Sequence, residues 1–309
     1  MRIIKVSLDK TRRNKTPMVA CIGYFDGLHV GHQKLLEKTR ELGEKYHCET
    51  AMITFEPDPW VIIKGATNVK HISTMRQRIN KAVSLGMDNI VFLEFTRDMS
   101  SLSPIDFMNK ILGNLNLQGL VCGFDFHFGY KGSGNVQFLQ DNAPYEICVV
   151  SAVEDEQGKI SSTRITKCIE QGHMEEANRL LGSPFCMEGK VIHGKKRGTD
   201  MGFPTANVQV SDEYIIPKNG VYAGKIHVGR NSYGCMINIG LNPTFHDVDA
   251  ISLEANIFDF HEDIYGQVVS VDFLKFIRPE KQFRSKSNLV MQLEQDKRTI
   301  QKYFEEGVL

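Results

Sequence analysis

Two stretches of this chain gather residue types that can handle phosphate. The first is Gly23-Tyr24-Phe25-Asp26-Gly27-Leu28-His29-Val30-Gly31-His32, directly after the apolar run Val19-Ala20-Cys21-Ile22. Gly23 and Gly27 allow a tight turn and a close backbone approach to a ligand. His29 and His32 stand at i and i+3, so a helix beginning near His29 presents both from one face of its first turn. That helix end carries free N–H groups and the positive pole of the dipole, which suits a phosphate. Two imidazoles there can hydrogen-bond a triphosphate and stabilise charge developing on a departing pyrophosphate. Histidines so placed can also do no more than cap the helix. The second stretch is Gly194-Lys195-Lys196-Arg197-Gly198-Thr199-Asp200-Met201-Gly202-Phe203-Pro204-Thr205-Ala206-Asn207. Its glycines permit close approach and its cations favour phosphate. Thr205 and Asn207 alternate along an extended chain and offer neutral oxygens that can share one Mg²⁺. The same composition also describes an exposed basic hairpin. In this order, the two stretches predict one polypeptide with two consecutive ATP-dependent steps.

Stepping outward along the chain, residues 1–150 alternate short apolar runs with helical spacing. Val19–Ile22, Ala51–Phe55, Asn89–Leu93, Gly119–Cys122 and Ile147–Val150 read as strands. His32–Glu44, Met75–Leu85 and Pro104–Leu112 read as helices between them. Alternation of this kind predicts a parallel sheet with helical crossovers, and ligands bind beyond the carboxyl ends of such strands. Gly23–His32 and Thr54–Trp60 both follow strands and so open onto that edge. Ser162–Leu181 reads as helical with a break near Gly172, and Gly182-Ser183-Pro184 as a boundary. From 185 to about 278 strand-like runs recur: Gly189–Ile192, Gly220–Val228, Ser232–Ile239, Leu253–Phe258 and Val268–Phe276. A compact barrel or sandwich is expected. Lys286–Phe304 spaces Leu289, Leu293, Ile300 and Phe304 as an amphipathic helix packed on it.

Composition sets the limits. The 309 residues favour two domains, and a 41% hydrophobic, 24% charged chain is an ordinary globular one. With 37 basic and 37 acidic residues the net charge is zero, which argues against a broad nucleic-acid footprint. The seven cysteines, at 21, 48, 122, 148, 168, 186 and 235, form no CxxC pair, so a reducing cytosol is the expected compartment. Residues 1–10 lack the apolar core of a signal peptide, and no run has the length of a membrane span.

The extended pattern at 23–32 resembles the FMN adenylyltransferase module of the bacterial bifunctional riboflavin kinase/FAD synthetases, within the nucleotidylyltransferase superfamily. Thr54-Phe55-Glu56-Pro57-Asp58-Pro59 is similar to that module's flavin-side loop, Val121–Gly129 to its glycine-aromatic segment, and Ile160-Ser161-Ser162-Thr163-Arg164-Ile165 to its serine motif. Gly202–Asn207 resembles the GFPTAN motif of the riboflavin kinase module. Downstream, Pro217–Ala223, Asn238–Phe245, Leu253-Glu254 with Asp259-Phe260 and Tyr265-Gly266, Arg278–Phe283 and the Leu289…Gln292…Asp296 helix continue the match. The resemblance spans about residues 15–300. It implies a Rossmann-like nucleotidylyltransferase domain at 1–183. It also implies a six-stranded β-barrel kinase domain with a terminal helix at 184–309.

The resemblance further implies riboflavin, FMN, FAD, ATP, ADP and pyrophosphate as substrates and products, with Mg²⁺ accompanying ATP and no nucleic-acid or membrane partner. It leaves oligomeric state open. His29 and His32 would serve adenylyl transfer. Gly23, Phe25, Asp26, Gly27, Gly31, Ser161, Ser162, Thr163 and Arg164 would bind its ATP. Pro57, Pro59, Asp125, Phe126 and Phe128 would hold the flavin, Phe126 and Phe128 walling its ring by alternation while Phe124 packs in the core. In the kinase, Glu254 would be the general base on the riboflavin 5′-hydroxyl, and Thr205 and Asn207 the metal ligands. Gly194, Lys195, Arg197, Gly198, Gly202 and Pro204 would hold ATP, and Arg278, Glu280 and Phe283 the flavin. Three positions depart from the family pattern: Asp58 and Asn256 stand where histidine is usual, and Thr166 where arginine is usual, with Arg164 or Lys167 as substitute charges. One rival reading keeps only one activity, with Asp58 and Thr166 weighing on the adenylyltransferase. Another is a flavin-sensing or RNA-binding regulator, against which Glu254, Thr205, Asn207 and the zero net charge argue.

Overall fold

The computed structural model describes residues 1–9, 14–194, 201–242 and 250–307. By their contacts they form two compact units: Met1–Val69 with Thr74–Ser162, and Lys70–Ser73 with Thr163–Leu309.

In the first unit, β1 (Arg2–Val6), β2 (Met18–Ile22), β3 (Glu49–Glu56), β4 (Asn89–Glu94), β5 (Leu117–Gly123) and β6 (Glu146–Val150) form one sheet in the order β1-β4-β3-β2-β5-β6. Every neighbouring pair is parallel. The helices are α1 (Val30–Tyr46), α2 (Pro59–Lys64), α3 (Met75–Ser84), α4 (Arg97–Ser100), α5 (Pro104–Lys110) and α6 (Val136–Asn142). β2 is buried on both faces because its side chains alternate between two cores. Met18, Ala20 and Ile22 join Phe107 and Leu139 on one side. Val19 and Cys21 join Leu36, Ala82 and Phe25 on the other. After β2 the chain moves outward through β3 and β4, then returns past β2 to β5. The loops leaving β2 and β5 therefore diverge at the carboxyl edge and leave a crevice, the usual ligand position in such sheets.

β1 was not among the expected strands; it is an edge strand paired only to β4, and its residues are mostly exposed. A two-stranded ribbon, β7 (Glu154–Asp155) and β8 (Gly158–Lys159), precedes the serine motif.

In the second unit, β9 (Phe185–Ile192), β10 (Ala206–Val210), β11 (Gly220–Val228), β12 (Asn231–Asn242), β13 (Ala250–Ile257) and β14 (Val268–Arg278) close a six-stranded barrel in the order β10-β13-β12-β11-β14-β9. Closure by the antiparallel β9–β10 pair leaves no free edge. Two helices, α7 (Ser162–Gln171) and α8 (Met174–Leu181), lie between the sheet and the barrel in sequence. Expectation put the division at 183/184, whereas by contact α7 and α8 group with the barrel. Asn178 supplies the physical reason: its Nδ2 donates to the Phe273 carbonyl at 2.8 Å, and its Oδ1 accepts from Phe185 N at 2.7 Å. Helix α9 (Lys286–Glu305), capped by Ser285, buries Ile300 and Tyr303 against Val221, Met236 and Leu274.

Candidate functional site

The first constellation is built on the turn between β2 and α1. Phe25 and Gly27 both take left-handed backbone, at φ 58° and 73°, and swing the chain into the helix. His29 is the N-cap of α1, and its Nδ1 accepts from His32 N at 3.3 Å. The two imidazoles stack, with centroids 3.7 Å apart and planes at 19°. Gly31 keeps the space beside His29 open, since a Cβ there would sit 3.0 Å from His29 Cε1 and press the ring aside. His29 caps the helix and still carries a second ring nitrogen.

Burial, followed by the nearby Lys81 and Lys159 charges, lowers His29 to about 4. Burial first, then His29 and the cations Arg78, Lys81 and Lys159, hold His32 well below the ordinary imidazole value. Its Nδ1 is buried without a hydrogen-bond partner. Both rings are neutral at pH 7, so positive charge at this site comes from the helix end and the lysines. Burial brings Lys81 down to about 8. Sequence reasoning missed Lys81, because it comes from α3, far from the motif in sequence.

Asp26 and Phe25 are both buried and shape the loop. The buried Asp26 carboxylate accepts from Arg78 Nη2 at 3.0 Å, and the Asp26 carbonyl accepts from Ser162 Oγ at 3.1 Å. Phe25 is fully buried and meets His32 edge-on with centroids 5.2 Å apart. Gly23 passes the Phe25 ring closely enough that a Cβ would sit 3.1 Å from it. The position of Asp58 also has a local account: its Oδ1 accepts from Trp60 N at 2.8 Å, capping α2 at Pro59, and its other oxygen accepts from the Tyr24 hydroxyl. Pro57 joins Glu56 through a cis peptide.

The aromatic segment corrects an expectation. Phe128 is only 6% exposed and packs on Phe107 and Phe138, whereas Phe124 is 50% exposed. The reason is a turn: Phe126 N donates to Gly123 O at 3.0 Å, so strand alternation does not run through 124–128. Phe126 still stacks on Phe128, half-buried, with centroids 5.7 Å apart. Lys159 pairs with Asp125 and lies 4.8 Å over the Phe124 ring. In the serine motif, Ser161 and Ser162 are half-buried and Thr163 is exposed. Arg164 Nη2 donates to Glu176 at 2.6 Å, tying α7 to α8.

The second constellation lines a cavity of about 990 Å³ in the barrel unit. Gly194, Thr205, Asn207, Glu254, Arg278, Glu280 and Phe283 all border it. Lys195, Arg197 and Gly198 lie outside the described residues. Thr205 and Asn207 line the cavity while Ala206 between them does not, as strand alternation predicts. Asn207 is in register with Glu254 on β13, which is in register with Asn238 on β12. Thr205 Oγ1 donates to Glu254 Oε2 at 3.3 Å. Gly194 leaves room for Asn207, since a Cβ there would lie 2.2 Å from Asn207 Nδ2. Gly202 turns the chain at φ 81°, and the Pro204 carbonyl accepts from Asn256.

Arg278 borders the cavity but is anchored elsewhere. Its guanidinium holds the buried Asp296 carboxylate through Nε at 2.9 Å and Nη2 at 2.7 Å, fixing α9 to β14. Its charge lies 5.9 Å over the Phe283 ring. Glu280 Oε1 is 2.7 Å from where a Gly240 Cβ would be, so that glycine admits the carboxylate. His193 and Met236 were missed from sequence, while Phe203, Asn238 and Leu293 stood inside quoted stretches without a site role of their own. His193 and Phe203 lie in loops, Met236 and Asn238 on β12 and Leu293 on α9, and only the folded barrel unit brings them together. His193 stacks on Tyr265 with centroids 3.9 Å apart.

Comparison with known proteins agrees with this two-part architecture. Residues 11–164 match the family described as FAD synthetase, and residues 181–304 the family described as riboflavin kinase. A bifunctional riboflavin kinase/FMN adenylyltransferase of Listeria monocytogenes is 39% identical, over 93% of this chain and 92% of that protein. The Bacillus subtilis protein of the same description is 36% identical, over 95% of this chain and 94% of its own length. A solved structure described as a macrolide-efflux protein from Streptococcus pneumoniae is 34% identical with a TM-score of 0.90, covering 96% of this chain and 99% of that one. Among the described residues of the present chain, no helix is long and apolar enough to cross a membrane.

Proposed function

The chain belongs to the bifunctional riboflavin kinase/FMN adenylyltransferase family, and on that premise we propose which residues carry each of its two reactions. It phosphorylates riboflavin to FMN with ATP, and it transfers the adenylyl group of a second ATP to FMN, giving FAD and pyrophosphate. In the first reaction Glu254 orients the riboflavin 5′-hydroxyl and takes its proton as the oxygen attacks the γ-phosphorus and ADP leaves. The observation that carries this assignment is the Thr205–Glu254 hydrogen bond inside the barrel cavity, with Asn207 in register beside it.

Thr205 Oγ1, the Asn207 side-chain oxygen and the Glu254 carboxylate form an all-oxygen donor set, which fits a hard cation. Thr205 and Asn207 would hold Mg²⁺, which would offset charge on the transferred phosphoryl group. Gly194, Gly202 and Pro204 shape the nucleotide side of the cavity, and Glu280, Phe283 and the Arg278 frame shape the flavin side.

In the second reaction an FMN phosphate oxygen attacks the α-phosphorus of ATP. No protein nucleophile or proton acceptor is needed, so positioning and charge carry the step. His29, His32 and the amides at the start of α1 orient the triphosphate and meet the charge growing on pyrophosphate. Phe126 and the Pro57–Pro59 turn face the flavin. Cysteines that form no disulfide among the described residues, and the reactions themselves, favour the cytoplasm as the site of action.

The test is chromatography of flavins after incubation with ATP and Mg²⁺, from riboflavin in one tube and FMN in another. FAD is expected in both, with FMN as a transient in the first. FMN from riboflavin with no FAD from FMN would overturn the role given to the histidine pair.

A further inference from the structure

Asn256 is 6% exposed and lines the barrel cavity two positions beyond Glu254 on β13. Its Nδ2 donates to the Pro204 carbonyl at 2.7 Å. Backbone register between β10 and β13 runs through Val208–Leu253, Asn207–Glu254 and Ala206–Ala255, and ends there. Proline at 204 has no N–H with which to continue a ladder. The Asn256 carboxamide takes over where the main-chain pairing stops.

That position matters because the Pro204 carbonyl and the Thr205 nitrogen belong to one planar peptide. Fixing the carbonyl fixes the plane from which Thr205 departs, and so the placement of its hydroxyl. The hydroxyl in turn donates to Glu254 Oε2 at 3.3 Å. Glu254 and Asn256 share one strand and one face. A single rigid element thus holds the acid and, through Asn256, the loop that opposes it.

We propose that Asn256 is a positioning residue of the kinase, setting Thr205 against Glu254 without touching the reacting atoms. The inference rests on the roles given above to Glu254 as base and to Thr205 and Asn207 as cation ligands. A carboxamide does not titrate, so this tie is equally strong across the working pH range.

The experiment uses the full chain and reads both activities from each preparation. Asn256→Asp preserves shape but cannot donate while ionised. The kcat for riboflavin phosphorylation should fall about a hundredfold, as for a small misplacement of reacting groups. The Mg²⁺ concentration for half-maximal rate should rise, while the KM for riboflavin and the rate of FMN adenylylation stay within about twofold of the parent. Protonation of the new carboxyl restores a donor, so the ratio of variant to parent kcat should recover as pH is lowered from about 8 to about 6. Asn256→His, which retains an N–H donor, should regain part of the loss. Should Asn256→Asp not fold, Asn256→Ser is too short to reach Pro204 and carries the same kcat and Mg²⁺ expectations.

Unchanged kcat and Mg²⁺ dependence in a folded Asn256→Asp or Asn256→Ser chain would overturn the proposal. So would an equal loss of both activities that follows thermal stability and shows no pH recovery. Glu254→Gln, assayed in parallel, separates the two layers: phosphorylation that survives it brings down the base assignment itself, and the proposal with it.

Discussion

In the sheet unit the imidazoles come from one unbroken turn, Gly23–His32, and are held by their immediate neighbours: Phe25, Gly31 and the Asp26–Arg78 pair. In the barrel unit the cavity is walled by β9, β10, β11, β12, β13, β14 and α9, so its chemical groups are gathered from segments far apart in sequence. The electrostatics differ as well. The first site keeps two neutral rings beside cations, and the second keeps a carboxylate beside neutral oxygens. Both use ATP, so the contrast comes from the other substrate. FMN brings a phosphate that is already an anion, and the protein need only place it and offset charge. Riboflavin brings a hydroxyl, and a proton acceptor has to be supplied.

The sharpest way to break this comparison is Glu254→Gln. It should lower FMN formation by about 10³-fold, within the range for loss of a general base, and leave FMN-to-FAD conversion intact. His29→Ala should do the reverse, lowering FAD formation about 10²-fold with the kinase unchanged. If either change in a folded protein removed both activities, two independent sites would not be a correct description. Gly31→Ala is a finer probe. Its methyl would press the His29 ring at 3.0 Å, and a displacement of a few tenths of an ångström should cost adenylyl transfer about tenfold; steady-state rates for both reactions check this.

The smallest expected effect concerns pH. Lys81, at about 8, is charged at pH 7 and loses that charge as pH rises through 8. The kcat/KM for ATP in adenylyl transfer should decline several-fold on that limb, since this parameter reports the free enzyme. Lys81→Arg should flatten the limb. The imidazoles, already neutral, should give no inflection between about 5 and 7. An inflection near 6.5 would mean that one ring carries charge in the working enzyme.

How far all this was readable from sequence depended on locality. His29, Gly31 and His32 announced themselves because their geometry is that of consecutive residues at a helix start. Thr205 and Asn207 did so because a strand has period two. The Phe124–Phe128 stretch misled because a turn interrupted that period, exchanging the core residue for the exposed one. Strand β10 was heard only as part of a motif; its short Ala206–Val210 span gives little hydrophobic alternation of its own. Lys81 and His193 were silent because their places arise from packing between distant segments. Arg278 and Asp296 were each seen, but not their pairing, and that pairing explains the conformation of both.

The Arg278–Asp296 clamp has a consequence for the order in which the molecule can be completed. Leu289 and Leu293, which wall the barrel cavity, lie on the same helix as Asp296, the latest element in chain order. Until that helix emerges and docks, Arg278 has no buried acid to hold it, and the cavity lacks one side. The contacts described above for the turn at 23–32 come from residues no later in the chain than Ser162. In chain order, then, everything that holds the turn at 23–32 precedes the helix that completes the barrel cavity, and that cavity is the last feature of the molecule to be supplied.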